Sequence, residues 1–177
     1  MERRHWLIKL RKIHQLTQEQ VAARAFIERS YYAQLEYGTK NPSKEVAKKL
    51  GKVLGFHYSS FDLEGNPFSF ALQHSPMVIA HCDLELRYTW IFNPHQDFEP
   101  TDVIGKTDQE INENEGTLAL MELKRNVIEK QIPIRRKITF PLSEGKITYD
   151  VFGHPLYDDE SELIGVATAS TEWSKKD

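Results

Sequence analysis

The spacing of apolar residues changes along this chain, from about 3.6 in the first third to 2 beyond it, so one sequence must supply both a helical bundle and a sheet. In the first part Leu7, Ile8, Leu10 and Ile13 recur at helical spacing up to about His14. Thr17-Gln18-Glu19-Gln20 then reads as a capping box, in which the Thr17 hydroxyl takes an orphan backbone N–H and Gln20 reaches back. A second helix starts there, with Val21, Ala22 and Ala25 as a small apolar face. Phe26-Ile27-Glu28 connects it to a third helix, from about Arg29 to Tyr37, which Gly38 stops in the left-handed conformation. Asn41-Pro42-Ser43 leads into a fourth helix whose Val46, Leu50 and Leu54 face inward and which Gly55-Phe56 ends. Val21, Ile27, Tyr32 and Leu35 read as core.

Residues 62–75 carry Gly65-Asn66-Pro67 and two serines without periodicity, which marks a connection with a short helix near Phe68–Gln73. Beyond it, Leu86, Tyr88, Trp90 and Phe92 alternate with Arg87, Thr89 and Ile91. Ile134, Arg136, Ile138 and Phe140 alternate with Arg135, Lys137 and Thr139, and Ile147, Tyr149 and Val151 with Thr148, Asp150 and Phe152. Ser143-Glu144-Gly145-Lys146 and Asp158-Asp159-Glu160-Ser161 are turn-like, so the last three strands, ending with Leu163–Thr171, form an antiparallel meander. Met77–Cys82 pairs with Leu86–Phe92 across Asp83-Leu84-Glu85. Between the strand groups, Leu120, Leu123, Val127 and Ile128 place a long helix over Glu115–Gln131.

Charge divides at the same place. Residues 1–61 hold twelve Lys and Arg against five Asp and Glu, a surplus of seven positive charges, whereas 62–177 hold eleven against twenty-one, an excess of ten negative ones. A basic module that meets a polyanion is thus joined to an acidic one that a polyanion repels. No stretch approaches the roughly 18–20 apolar residues of a membrane span, and the start has charges but no apolar region of a secretory signal. The expectation is a cytoplasmic protein without a membrane partner. Its one cysteine, Cys82, excludes an internal disulfide and a Cys-rich zinc module.

The runs Leu16-Thr17-Gln18-Glu19-Gln20-Val21-Ala22, Arg29-Ser30-Tyr31-Tyr32-Ala33-Gln34-Leu35-Glu36-Tyr37-Gly38 and Lys40-Asn41-Pro42-Ser43 resemble the helix-turn-helix of the XRE family, the phage repressor and Cro type. The resemblance implies that Gln18 meets a phosphate, that Arg29, Ser30 and Gln34 face base edges, and that Thr39 and Lys40 touch the DNA backbone. Tyr31 adds a methyl or phosphate contact. The chemistry agrees, since Arg pairs with guanine, Gln with adenine and Ser with either. Arg11 and Glu36 match a family ion pair and are structural. Two departures stand out: Phe26 replaces a common turn glycine, and Glu28 a serine that often begins the third helix. Lys48, Lys49 and Lys52 read as a solvated face.

The strand, helix, strand order of the second half resembles a PAS domain, carried by Asp83–Pro94, Val103-Ile104-Gly105-Lys106-Thr107-Asp108, Pro155-Leu156-Tyr157-Asp158 and Ile164-Gly165-Val166 with Ser170-Thr171-Glu172. Such modules sense a small molecule, light or redox state, or mediate pairing. A flavin adduct needs a cysteine in a helical motif, and Cys82 lies at a strand end. Haem-binding PAS domains of the oxygen-sensing type use a histidine on the long helix, and Glu115–Gln131 has none. His74, His81, His95 and His154 are scattered, without the spacing of a metal site, and Asp158-Asp159-Glu160 lacks that of a calcium loop. No cofactor is expected. Tyr88, Trp90, Phe92, Ile138, Phe140 and Tyr149 read as core or pocket wall, and a small apolar ligand would find polar handles in Thr168, Ser170 or His154.

The expected architecture is multidomain: a lambda-repressor-like all-α helix-turn-helix bundle over 4–61, a linker over 62–75, and an α+β PAS domain with a five-stranded antiparallel sheet over 76–174. The expected function is a one-component, sequence-specific transcription regulator, not an enzyme, since no phosphate loop, Gly-x-Ser-x-Gly or paired His motif occurs. Its partners would be operator DNA, as an inverted repeat, and a second copy of itself. The alternative is a PAS-based adaptor whose helical module has lost specific DNA reading, with Phe26 and Glu28 as signs of drift.

Overall fold

The computed structural model describes residues 3–63, 66–73, 75–95, 100–142 and 145–173, and the chain divides between Phe70 and Ala71 into two compact units. His74, Gly65, Ser143 and Glu144, which carry parts of the expected connection and turn, lie outside the described residues.

The first unit consists of α1 (His5–Ile13), α2 (Gln18–Ala25), α3 (Arg29–Glu36) and α4 (Lys44–Leu54), followed by a 3₁₀ turn over Tyr58–Phe61. Leu7, Val21, Ala25, Tyr32, Leu35, Leu50 and Leu54 have no exposed surface. Small residues on α2 and the large Tyr32 on α3 fill one another's space, as close-packed interiors require. Trp6, Phe56 and Phe61 close the bundle edge to face, with ring centroids 5.0–5.7 Å apart. Four expected apolar positions depart from the core. Ile13, in the last turn of α1, is half exposed, and Ile8 of α1, Ile27 in the turn between α2 and α3, and Val46 of α4 are half-buried.

Local chemistry sets the helix ends. Thr17 Oγ1 accepts from the Gln20 N–H at 3.1 Å while Gln20 Oε1 accepts from the Thr17 N–H at 2.8 Å, completing the capping box. Ser43 caps α4 through the Val46 N–H. Phe26 occupies the left-handed region, φ 56°, and is 85% exposed.

The short α5 (Pro67–Leu72) precedes the sheet. The second unit orders its strands β2 (Tyr88–Phe92), β1 (Met77–Cys82), β5 (Leu163–Glu172), β4 (Lys146–Tyr157) and β3 (Ile134–Pro141), with every neighbouring pair antiparallel. The short helices α6 (Pro100–Val103) and α7 (Asp108–Ile111) and the long α8 (Glu115–Lys130) come between β2 and β3. α8 packs on the sheet closely enough that a Cβ on Gly153 of β4 would stand 2.8 Å from Leu123, and one on Gly116 would stand 2.6 Å from the Phe140 ring.

Register assigns the two faces of the sheet. Val78, Ala80 and Cys82 align with Ser170, Thr168 and Val166 on the helix side, and His81 and Ile79 align with Ala167 and Ala169 on the other. The strict alternation expected for Leu86, Tyr88, Trp90 and Phe92 fails at a bulge. His81 pairs with Trp90 but Cys82 with Tyr88, leaving Thr89 as the extra residue. The bulge turns Tyr88 to the helix side with Cys82 and sends Trp90 and Phe92 to the opposite face. Leu86 lies outside the strand, in the left-handed region at φ 64°.

Candidate functional site

Two places in the chain concentrate chemistry, one in each unit. In the first, α3 turns Tyr32, Leu35 and Glu36 into the bundle and carries Arg29 and Ser30 exposed in its first turn. Gln34 follows Ser30 by one helical turn on the same face, half-exposed, with Tyr31 beside it. Thr39 and Lys40 are exposed in the loop after α3, where the Thr39 hydroxyl donates to the Gln34 carbonyl at 3.1 Å and the Lys40 ammonium stands 5.7 Å from the Tyr31 ring. The structure therefore brings Ser30, Tyr31, Gln34, Thr39 and Lys40 to one side of α3 and its following loop.

Arg11 and Glu36 form the ion pair expected between the first and third helices, Nε to Oε1 at 2.6 Å and Nη2 to Oε2 at 3.2 Å. The hydrogen bond and charge of Glu36 raise the Arg11 pKa although burial opposes this. Gln18, expected as a phosphate contact, donates its amide N–H to Glu36 Oε2 at 2.8 Å, so the same carboxylate fixes the first turn of α2 to α3. A further residue, not anticipated from sequence, braces the loop. Arg4 is buried at 4% exposure, donates to the Leu35 carbonyl at 2.5 Å and the Lys40 carbonyl at 2.8 Å, and also bonds the Asn41 side chain. No periodicity reveals such a role, because Arg4 lies one residue before α1 begins.

In the second unit a cavity of about 970 Å³ opens between the helix side of the sheet and α6, α7 and α8, at the upper end of small-molecule sites. Of the seven residues expected in a pocket, Tyr88, Phe140, Tyr149 and Thr168 line it. Trp90, Phe92 and Ile138 do not. The Thr89 bulge sends Trp90 and Phe92 to the far face, where Trp90 stacks with Phe92 at 6.3 Å and lies tilted against His81 at 5.1 Å, while Ile138 is buried core at 3% exposure. Val78, Ile91, Val103, Leu120 and Ile147 add apolar wall, and His95, Asp102 and Lys106 add ionisable side chains. His154, named as a polar handle, is exposed and not part of the lining, whereas Ser170 is. Among the described residues no group of three or more His, Cys, Asp or Glu is placed to hold a metal ion, and no helix is long and apolar enough to cross a membrane.

The cavity wall ends in a polar cluster that sequence reading missed. Lys124 of α8 has no exposed surface, and its ammonium donates to Asp108 Oδ2 at 2.7 Å. The Tyr88 hydroxyl donates to Asp108 Oδ1 at 2.6 Å, and the ammonium stands 4.1 Å from the Tyr88 ring centroid. Burial lowers the Lys124 pKa, but Asp108 and its neighbours outweigh this and raise it well above the ordinary lysine value. Burial also raises the Tyr88 phenol well above its usual value and pushes the adjacent Cys82 thiol up to about 12. One signal was available: Lys124 falls in phase with Leu120 and Val127 on the inward face of the long helix, where an unpaired lysine would be prohibitively costly.

Comparison with known proteins separates the same two parts. Residues 7–61 match the helix-turn-helix family and residues 72–176 match the PAS fold. An uncharacterized HTH-type transcriptional regulator, YqaF of Bacillus subtilis, is 48% identical over 58 residues, covering 33% of this chain and 76% of that protein. Histidine kinase 5 of Arabidopsis thaliana is 32% identical over 126 residues, 71% of this chain, and this chain spans only 12% of its length. Among solved structures, VqmA of Vibrio cholerae in a complex with ligand and DNA aligns with a TM-score of 0.52 at 16% identity, over 59% of this chain and 49% of that one. VqmA bound to DPO aligns at 0.53 and 16%, over 61% and 57%. At that identity the likeness is one of fold.

Proposed function

We propose, from the premise that the chain belongs to the PAS-fold family over residues 72–176 and to the helix-turn-helix regulators over residues 7–61, that it is a sequence-specific DNA-binding transcription regulator whose PAS unit senses a small molecule. The observation that carries this reading is the placement of Arg29, Ser30 and Gln34 on a short helix braced from behind by the Arg11–Glu36 pair and Arg4. Those three side chains have the donors and acceptors that read guanine and adenine in a major groove, and Thr39 and Lys40 stand where a sugar-phosphate strand would pass. Gln18 can contribute a phosphate contact while Glu36 holds it. One short recognition helix reads few bases, so the working form is a homodimer on an inverted repeat. The positive surplus of residues 1–61 supplies the sequence-independent part of the affinity.

In this reading the second unit performs no catalysis, and its cavity takes a small ligand in place of haem or flavin. The adaptor alternative is disfavoured by the 48% identity over 58 residues to an HTH-type transcriptional regulator. Selection of bound duplexes from a random pool by the full chain tests the proposal. An enriched motif with two half-sites about 10 base pairs or a multiple apart is expected. Recovery of the pool without enrichment would return the chain to the adaptor class.

A further inference from the structure

Where Tyr88 and Asp108 meet the cavity of the second unit they present hydrogen-bond acceptors, and that property selects a class of ligand. The Tyr88 hydroxyl has one proton and gives it to Asp108, so toward the cavity it can only accept. Asp108 offers roughly four lone-pair sites, of which Tyr88 and Lys124 occupy one each. Both Tyr88 and Asp108 belong to the cavity wall, whereas Lys124 stands behind them and balances the carboxylate charge. On the sheet side Thr168 and Ser170 add hydroxyls that donate or accept, His95, Asp102, Lys106, Asn112, Asn114 and Thr117 add further polar side chains elsewhere in the lining, and Leu120, Phe140 and Tyr149 are among its apolar and aromatic wall.

An anion placed against Tyr88 and Asp108 would meet acceptor lone pairs. A cation would compete with Lys124 for a carboxylate that is already paired, and a purely apolar molecule would leave the polar end unsatisfied at a cost. We infer that the cavity binds an uncharged aromatic small molecule bearing an O–H or N–H donor, which it directs at the Tyr88–Asp108 end. This rests on the reading of the PAS unit as a small-molecule sensor and adds the ligand class and its anchor.

Three matched probes test it on the full chain by titration calorimetry at neutral pH: 2-naphthol, its methyl ether 2-methoxynaphthalene, and 2-naphthoate. The naphthol binds about tenfold or more tightly than the ether, as a hydrogen bond to an ionised acceptor predicts, and the naphthoate binds most weakly. Ether binding equal to naphthol, naphthoate binding tightest, or no binding of any probe overturns the inference. The double variant Asp108→Leu with Lys124→Met removes the pair together, avoiding a lone buried charge. It loses the preference for naphthol over ether while still binding the apolar ring, and an unchanged preference in this variant also overturns the inference. Should that variant not fold, the wild-type ratio decides alone. Duplex selection by the same protein is read separately, so a failed cavity assignment with an enriched motif leaves the DNA reading standing, and the reverse result sinks only that reading.

Discussion

Phe26 and Cys82 show how an individual residue departs from what its type favours. Phe26 holds a left-handed conformation that disfavours side chains by about 1 kcal/mol, and it is 85% exposed, so little packing compensates. Phe26→Gly is expected to raise stability by about 1 kcal/mol or slightly less, read as a higher midpoint in urea; a lower midpoint would mean the ring makes contacts that stabilise the fold. Cys82 is fully buried, and its thiol is pushed up to about 12 from an ordinary value of 9.0. In the folded state it stays protonated and unreactive near pH 8. An aromatic disulfide reagent should therefore label it only as fast as the chain unfolds. Because the unfolded thiol releases its proton first, the folded state binds more protons between about pH 9 and 12, and this group makes stability fall as pH rises through that window. Rapid labelling of folded protein at pH 8 would contradict the assignment.

The elements of the second unit depend on one close approach. A Cβ on Gly165 of β5 would stand 1.9 Å from the Cys82 carbonyl oxygen, and neither backbone can yield without separating β1 from β5. Gly165→Ala should cost about 3 kcal/mol or more, measured by urea denaturation, and a loss under 1 kcal/mol would mean the strands have slack there. Helices and strands were legible in the sequence where one face is apolar and the ends carry caps: Thr17 with Gln20, Ser43, and the run from Leu120 to Val127 sit in the structure as the pattern indicated. The pocket was legible only in part. Alternation places Trp90 and Phe92 on the same face as Tyr88, but a bulge is a backbone event that a single extra residue causes, and Thr89 has no distinctive side-chain signature. Asp108 and Lys124 lie sixteen residues apart and meet only because α7 and α8 fold against one cavity, a pairing no local pattern encodes. Arg4 was hidden for the same reason, since its partners are 31 to 37 residues away.

At the scale of the whole molecule, the opposite charges of the two parts assign them different work. Seven surplus positive charges fall in residues 1–61, with the helix that carries Arg29, and ten surplus negative charges fall in the part that holds the cavity. The net negative charge of the acidic part repels a duplex, so the expected steep fall of affinity with salt is assigned to the first unit. Base reading and phosphate attraction then separate by residue. On the duplex recovered by selection and on its single-base variants, dissociation constants are measured at two salt concentrations for the wild type, Arg29→Ala and Lys40→Ala. Lys40→Ala weakens every duplex alike and reduces the salt slope by about one, whereas Arg29→Ala loses about 1–3 kcal/mol on the operator and stops distinguishing one base pair. Unchanged operator affinity in Arg29→Ala would contradict the central claim that α3 reads DNA.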